Sequence, residues 1–320
     1  MAVTTQCPNC HRQFGVHSDE LGHAVRCQFC ERLFMALEVE PGEQAPAAKE
    51  PRDASAAVVG VPEGLRPGNL IQIEAGVFMQ GSQVGYFYDR PLRKTELTYS
   101  FRMSAKPVTQ REYFALMYSN PSYFKGHELP VENVTWYDAM AFCRKLTAVL
   151  KAGGAIQDGY LYRLPTETEW EYACRTTPGQ SASFDGDPAR KPLPEYWWGD
   201  NAEVLDQYAW HRGNSANSTH PVAEKKPNPR GLYDMLGNVS EWCVDWFAPY
   251  SRDEATDPSG PEKGEHRSRR GGAWASIPWR CRGADRVGVK PECRSALLGF
   301  RVVLGPALKT HEESPKVMVV

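Results

Sequence analysis

Four cysteines near the N-terminus have the spacing of a metal site. Cys7 and Cys10 form one Cys-x2-Cys pair, and Cys27 and Cys30 form a second pair after sixteen intervening residues. Two such pairs can place four thiolates in a tetrahedron around one Zn²⁺ ion and so hold a small ribbon together. Redox-active cysteine pairs are the alternative, but two pairs flanking a short hairpin favour structural zinc. We therefore expect a zinc ribbon over residues 1–37.

The charge of this predicted ribbon bears on its partners. Residues 1–37 hold three arginines and three acids, and four thiolates with one Zn²⁺ would add a charge of −2. Binding to phosphates needs a surplus of Lys and Arg, so nucleic acid is not an expected partner. A structural or protein-docking role is expected instead.

Another cysteine lies in an arginine-rich stretch near the C-terminus, RRGGAWASIPWRCRGADR at residues 269–286. Cys281 stands between Arg280 and Arg282, and neighbouring cations lower the pKa of a thiol and so activate it as a nucleophile. No histidine stands beside it in sequence to act as a base. Free cysteine is also a common core residue. Cys281 is therefore a candidate nucleophile, a core residue or one position of a binding surface.

Positive charge is concentrated around this stretch. Residues 263–303 hold ten Lys and Arg against three acids, although the net charge of the whole chain is −2. These cations either pair with acids elsewhere in the fold or form a face that attracts anions. We favour pairing, because desolvated arginine is usually paired.

The composition places these motifs in a loop-rich protein packed around aromatic side chains. The 320 residues are 41% hydrophobic, which allows one sizeable core with small appendages. The 25 prolines, 27 glycines and 9 tryptophans favour short elements. No stretch approaches the roughly 20 apolar residues of a membrane span, and the N-terminus has no signal-peptide pattern. We expect a cytoplasmic protein that does not enter a membrane.

Changes in composition divide the chain into segments. Residues 38–68 are rich in Ala, Pro, Gly and charge and are predicted to form a flexible linker. The main domain is predicted over residues 69–304, and residues 305–320 are predicted to form a loose tail.

The main domain must supply the elements that position these residues. Three helices are predicted, each with a capping threonine and an acid in its first turn: Thr109 with Glu112, Thr135 with Asp138, and Thr166 with Glu169. Gly153 can end the second helix, and Cys143 and Cys174 are predicted core residues. Strands are predicted over LIQIEAGVFMQGS, YLYR and LLGFRVVLG, with the last pairing with the first.

Nine sequence blocks follow one another along this domain in a fixed order. They are FMQGS, KPVTQREY, LPVENVTWYDAMAFCRKL, YRLPTETEWEYACR, WWGDN, GLYDMLGNVSEWCVDW, RRGGAW, RGADR and GFRVV. In this order they resemble the formylglycine-generating enzyme, or sulfatase-modifying factor, family over residues 70–304. The resemblance implies a mixed α+β, loop-rich fold similar to a C-type-lectin core, preceded here by the zinc ribbon.

The resemblance leaves the function open, because a fold does not choose among chemistries. The family includes a copper-dependent oxidase that converts a substrate cysteine to formylglycine, an iron-dependent sulfoxide synthase of thiohistidine biosynthesis, and non-catalytic lectin-like binders. The binders include the variable proteins of diversity-generating retroelements. The iron enzyme relies on histidines mostly from a helical bundle ahead of this domain, where this chain has only the predicted ribbon and linker.

The copper oxidase needs two cysteines, four residues apart, on the loop after the RRGGAW block. Two thiolates are what bind a soft Cu(I) ion. Here that loop has Cys281 alone, and Cys293 follows twelve positions later. Copper is therefore expected only if the alternative function holds, in which the protein is a formylglycine-generating-type oxidase or another thiol enzyme acting through Cys281.

The resemblance also implies a calcium loop in GLYDMLGNVSEWCVDW. On the family pattern the ligands would be the side chains of Asp234 and Glu241 and the carbonyls of Gly237 and Val239. In the alternative interpretation, Glu241 pairs with a core arginine such as Arg282 or Arg301. A calcium ion at this place would be structural.

Between Trp274 and Phe300, scaffold residues alternate irregularly with positions that follow no period of a strand or helix. In the retroelement variable proteins such positions form an exposed ligand surface. We expect a non-catalytic binder of a protein or small molecule, using the 271–303 segment as a surface that genetic diversification would vary. Core packing under loops is the alternative for these side chains. The predicted ligand-binding residues are Ala275, Ser276, Ile277, Trp279, Cys281, Gly283, Asp285, Val287, Val289, Lys290, Cys293, Ser295 and Leu297.

Overall fold

The computed structural model describes residues 61–179 and 193–308, together with four short strands nearer the N-terminus. Strand β1 (Ala2–Gln6) pairs antiparallel with β2 (Gln13–His17), and β3 (Ala24–Arg26) pairs antiparallel with β4 (Leu33–Met35). Each predicted zinc-binding cysteine pair falls in sequence between the two strands of one hairpin. The four cysteines themselves lie outside the described residues, so the zinc ribbon stays a prediction.

The main domain is built from short strands and three helices. The helices are α1 (Gln110–Met117), α2 (Trp136–Ala152) and α3 (Glu167–Arg175). The strands are β5 (Ile71–Ile73), β6 (Gly76–Gln80), β7 (Arg93–Leu97), β8 (Phe101–Met103), β9 (Tyr160–Arg163), β10 (Ser240–Trp246), β11 (Ala255–Thr256), β12 (Arg267–Arg270), β13 (Arg286–Val289), β14 (Leu298–Gly299) and β15 (Val303–Pro306). This is the mixed α+β, loop-rich architecture that the sequence predicts.

The strands of this domain form three sheets. Their strand orders are β5-β8-β15-β9, β11-β7-β6 and β13-β12-β10-β14. The stretch LIQIEAGVFMQGS is therefore two strands in two sheets, and not the single strand predicted. The chain leaves one sheet at Glu74 and enters the next at Gly76, where an added Cβ would lie 2.3 Å from Tyr172 Oη.

The predicted pairing of the last strand with the first is also wrong. Strand β8 lies between them, so that Ile71 pairs with Met103 and Met103 pairs with Val303. Strand β8 lacks the long alternating pattern by which the neighbouring strands are recognised. Its insertion is a property of the tertiary fold.

The three helices begin where the sequence predicts them. The side chains of Thr109, Thr135 and Thr166 each accept a hydrogen bond from the backbone N–H three residues on. The carboxylates at those positions each accept a hydrogen bond from the backbone N–H of the threonine, which completes three capping boxes. Gly153 caps the end of α2, and Cys143 and Cys174 are buried as predicted.

The packed domain extends beyond the predicted boundaries at both ends. Val61 and Leu65, which fall in the predicted linker, are buried in the hydrophobic core around α2. Leu308, in the predicted tail, packs against the same core. None of the helices that the structure describes combines the length and the apolar character needed to cross a bilayer.

Arginines of the C-terminal segment are paired inside the fold. Arg301 lies 2.6 Å from Glu241, and Arg282 lies 2.8 Å from Asp89 and 2.6 Å from Glu195. Arg270 pairs with Glu171 on α3. Arg286 likewise pairs with Glu167. The preference for paired cations is thus confirmed for these four side chains, whose partners lie far away in sequence.

Candidate functional site

The arginine-rich stretch folds back on itself after β12. Gly272 adopts a positive φ of +70°, and a Cβ at this residue would lie 2.8 Å from both Cys281 Sγ and the carbonyl oxygen of Arg280. The loop then enters a short 3-10 helix, Pro278–Cys281, with proline at the start, where its fixed φ fits and no N–H is required. This turn directs the side chain of Cys281 inward and leaves Trp279 on the outside.

The thiol of Cys281 is fully buried in the hydrophobic cluster around Trp170 and Phe78. Burial raises the pKa of Cys281 far above its ordinary value, and the carboxylate of Asp285 raises that pKa further. The sequence-based interpretation that Arg280 and Arg282 would lower this pKa is wrong, because both guanidinium groups contact acids. In this environment Cys281 is a core residue, and its thiolate is strongly disfavoured.

Arg282 connects the core to the outer surface. Its guanidinium donates to Asp89 and Glu195, and its Nε donates to the carbonyl oxygen of Trp279 at 2.8 Å. The indole ring of Trp279 lies over the same guanidinium, with 4.1 Å between Arg282 Cζ and the ring centroid. Trp279 therefore lies on a rigid, charge-paired arginine.

A second segment, residues 84–88, completes this surface. Arg280 Cζ lies 3.9 Å from the ring centroid of Tyr86, and Arg280 Nη1 donates to Tyr88 Oη at 3.3 Å. The segment turns tightly at Gly85, where an added Cβ would lie 2.3 Å from a carboxylate oxygen of Asp89. The two segments thus meet although they are far apart in the chain.

We call the surface formed by these two segments the aromatic face. It consists of Val84, Tyr86, Phe87, Tyr88, Ile277, Trp279 and Arg280. Phe87 is 81% exposed, Ile277 is 45% exposed and Trp279 is 39% exposed. Large apolar side chains that cluster at the surface mark binding sites more often than isolated ones do.

The structure divides the predicted ligand-binding residues into three groups. Ile277, Trp279 and Lys290 are exposed. The half-buried residues are Ala275, Ser276, Val287, Val289, Cys293, Ser295 and Leu297. Cys281, Gly283 and Asp285 are buried, so they cannot touch a ligand at the surface in this conformation. A Cβ at Gly283 would lie 2.5 Å from Arg175 Cγ, which shows how closely the chain packs there.

Sequence reasoning missed the segment from Val84 to Tyr88. The available signal was the aromatic run of Tyr86, Phe87 and Tyr88 in a polar turn, since three adjacent rings cannot all be buried there. Phe87 is accordingly exposed, while Tyr86 and Tyr88 stack with 5.7 Å between ring centroids.

Residues 56–305 match the sulfatase-modifying factor enzyme 1-like domain. The chain belongs to this family. Chaperone protein LppX of Paenibacillus barcinonensis is 31% identical to it over 69% of this chain and 86% of the relative.

Other relatives that share this sulfatase-modifying-factor-like domain are named as enzymes of two different kinds. The formylglycine-generating enzyme of Streptomyces coelicolor is 37% identical over 54% of this chain and 51% of the enzyme. A serine/threonine-protein kinase, pkn1, of Chlamydia pneumoniae is 29% identical over 72% of this chain and 37% of the kinase. The chain thus spans only about half of the enzyme and less of the kinase.

A solved structure supports the expected fold. Treponema denticola variable protein 1 is 31% identical, with a TM-score of 0.62 over 74% of this chain and 95% of that protein. PvdO from Pseudomonas aeruginosa is 25% identical, with a TM-score of 0.54 over 73% of this chain and 93% of that protein. The sulfatase-modifying-factor-like domain therefore has the C-type-lectin-like fold that the sequence blocks predict.

Cys281 and Cys293 do not form a copper site of two thiolates. Cys281 packs in the cluster around Trp170, whereas Cys293 packs against the separate core around α2. The Sγ of Cys293 lies 3.9 Å from the carbonyl oxygen of Arg294 and donates to it. Within residues 61–179 and 193–308, no cluster of three or more His, Cys, Asp and Glu side chains is arranged to hold a metal ion.

The two carboxylates predicted as calcium ligands already accept hydrogen bonds from other groups of the protein. Both carboxylate oxygens of Glu241 accept from Arg301, at 2.6 and 2.7 Å, and one also accepts from Trp170 Nε1 at 2.7 Å. Glu241 therefore forms an ion pair with the core arginine Arg301, as the alternative interpretation of the sequence expected. Asp234 accepts from the backbone N–H of Ala223 at 2.7 Å. The carbonyls of Gly237 and Val239 remain on the same loop, but a divalent ion would have to compete with the Arg301 pair.

The buried carboxyl of Asp285 makes the stability of the domain dependent on pH. Burial raises the pKa of Asp285 to about 6, and repulsion by Asp89 adds to this shift. Because the native state holds this proton more tightly than the unfolded chain, its contribution to stability is complete below about pH 4. That contribution is lost as the pH rises towards 6. We expect Asp285→Asn to flatten this part of the stability profile, measured by urea unfolding between pH 4 and 7. An unchanged slope would contradict the assignment.

Proposed function

We propose that this domain is a non-catalytic binding module that recognises a protein or peptide through the aromatic face. The observation that carries the proposal is the contrast between Trp279 and Cys281 on one short turn. The indole is exposed on a charge-paired arginine, and the thiol two residues later is fully buried. The loop on which the family's oxidase keeps its reactive thiols is, in this chain, a surface suited to contact.

The chemistry of the aromatic face supports this proposal. Trp, Tyr and Arg are the side chains most enriched among residues that dominate binding energy at interfaces. Here Trp279 packs on Arg282, and Tyr86 contacts both the guanidinium of Arg280 and the ring of Tyr88. Rings that are already fixed lose little conformational entropy on binding, which favours affinity.

Oxidation of a substrate cysteine is the competing proposal, because a formylglycine-generating enzyme is 37% identical to part of this chain. In that case Cys281 would act as a thiol nucleophile or copper ligand. Its burial and raised pKa weigh against both roles. The predicted zinc ribbon would serve in either case as a structural or docking module.

Replacement of Trp279 tests the binding proposal. Phage-displayed random 12-residue peptides are selected on the purified wild-type chain, and the affinities of the enriched peptides are measured by calorimetry. We expect Trp279→Ala to weaken them by about 30-fold or more, since a central hot spot contributes at least about 2 kcal/mol.

The control is an aromatic residue of similar exposure elsewhere. Tyr118 is 43% exposed at the end of α1 and has a positive φ of +57°, which asparagine tolerates. Tyr118→Asn should leave the peptide affinities unchanged. Selected peptides that bind Trp279→Ala as tightly as wild type would refute the proposed face.

A further inference from the structure

One arginine beside the aromatic face has no counter-charge among the residues that the structure describes. The buried side chains of Arg270, Arg282, Arg286 and Arg301 each form an ion pair. Arg269 is half-buried on β12, and within the described residues it forms no ion pair. Its one side-chain hydrogen bond there is donated by Nη1 to Ser240 Oγ.

The neighbouring Arg267, which also has no ion pair in the described part of the chain, shows how such an arginine can be accommodated. Its guanidinium lies between the rings of Trp136 and Trp246, at 3.9 and 3.4 Å from their centroids. Arg269 has no such aromatic contact within the described residues. Burial lowers the pKa of Arg269, which reflects the cost of holding its charge there. A ligand that neutralised the charge would remove part of this cost.

The position of Arg269 places it next to the aromatic face. Its register partner on β13 is Val287, a predicted ligand-binding residue. Asp285 and Cys293 raise the pKa of Arg269, whereas the charge of Arg280 lowers it. Arg280 in turn contacts Tyr86 and Tyr88 of the aromatic face. On the other side, Ser240 receives the hydrogen bond of Arg269 and donates its own N–H to the carbonyl oxygen of Leu297.

The charges around Arg269 define the kind of anion that fits. Arg269 offers one positive charge, and the carboxylate of Asp285 nearby would repel a doubly charged phosphate more than a singly charged carboxylate. A guanidinium can hold a carboxylate through two parallel N–H bonds. Apolar groups would find Val287 on the neighbouring strand and Tyr88 of the aromatic face nearby.

From this arrangement we infer that Arg269 is the carboxylate-binding residue of the surface. The ligand is a peptide in which a carboxylate lies beside an aromatic or other apolar group. The carboxylate comes from an acidic side chain or a chain terminus. This inference rests on the proposed function, because it takes the aromatic face as the adjoining contact.

The test uses a matched pair of small probes, 3-phenylpropionate and its neutral isostere 3-phenylpropanamide. Binding to the full chain is followed through the indole N–H resonance of Trp279, assigned with Trp279→Phe. We expect the acid to bind roughly tenfold more tightly than the amide, and this preference to fall with added salt. The preference should shrink to within about twofold in Arg269→Met and be partly kept in Arg269→Lys.

Arg294→Met is the control, because Arg294 is an exposed arginine of the same segment that pairs with Asp138 at 2.8 Å. It should keep the preference for the acid. If Arg269→Met does not fold, the salt dependence of the preference in the wild-type chain decides the question.

The outcomes separate the two proposals. Equal binding of acid and amide overturns the carboxylate site and leaves the aromatic face standing. If Trp279→Ala, measured by calorimetry because it lacks the reporter indole, weakens neither probe, the aromatic face is refuted instead. Binding of neither probe to the wild-type chain contradicts both. Peptides with free and amidated C-termini then distinguish a terminal from a side-chain carboxylate.

Discussion

Replacing Glu241 with alanine is expected to lower the free energy of unfolding by about 3–5 kcal/mol, among the largest effects of any single change in the core. Glu241 is fully buried on β10 and receives two hydrogen bonds from Arg301 and one from Trp170. Without the carboxylate, the charge of Arg301 remains in the core with only the carbonyl oxygens of Ser104 and Tyr233 as partners. An unpaired buried charge is costly, because neither water nor a counter-ion compensates it.

Urea unfolding of the wild type and of Glu241→Ala measures this effect. The double variant Glu241→Met, Arg301→Met is the control, because it removes both charges and fills part of the space. It should recover part of the lost stability. A loss below about 1 kcal/mol for Glu241→Ala would contradict the role assigned to this pair.

The second large effect is expected at Arg282, which joins the core to the aromatic face. Arg282→Met would leave the carboxylates of Asp89 and Glu195 buried without their shared cation. We expect a loss of at least about 3 kcal/mol in the free energy of unfolding. Trp279 would also lose the guanidinium beneath its ring and the hydrogen bond to its carbonyl oxygen.

Arg280→Met supplies the comparison for this experiment. The side chain of Arg280 is about a third exposed, and its ion pair with Asp285 is 3.3 Å long. Its removal should cost below about 1 kcal/mol. Chemical unfolding measures both variants, and the indole N–H resonance of Trp279, assigned with Trp279→Phe, reports on its environment. Equal losses for the two variants would refute the assignment of Arg282 as the central residue.

The parts of the fold that were predictable from sequence are those that local interactions determine. A capping box needs only a threonine and an acid three residues later, so the starts of α1, α2 and α3 were predictable. Strand pairing depends on the whole chain. The insertion of β8 between β5 and β15 therefore had no local signal.

The site shows the same division between local and distant information. The cost of desolvating a charge made it predictable that arginines of residues 263–303 would be paired. The sequence could not, however, name Asp89 and Glu195 as the partners of Arg282. The reactivity expected of Cys281 assumed that adjacent residues in sequence act on the thiol. In the fold, the turn at Gly272 places the thiol in the core, and the neighbouring arginines form ion pairs with acidic side chains.

The proposed function requires that this surface bind a ligand and not oxidise a substrate cysteine. The most direct measurement is to incubate the purified chain with a Cys-x-Pro-x-Arg peptide, Cu(I) and oxygen and to follow the peptide cysteine by mass spectrometry. Because Cys281 is fully buried in the core, we predict no more conversion to formylglycine than copper gives without protein. This result is expected for both the wild type and Cys281→Ser. Conversion by the wild type that Cys281→Ser abolishes would contradict this account.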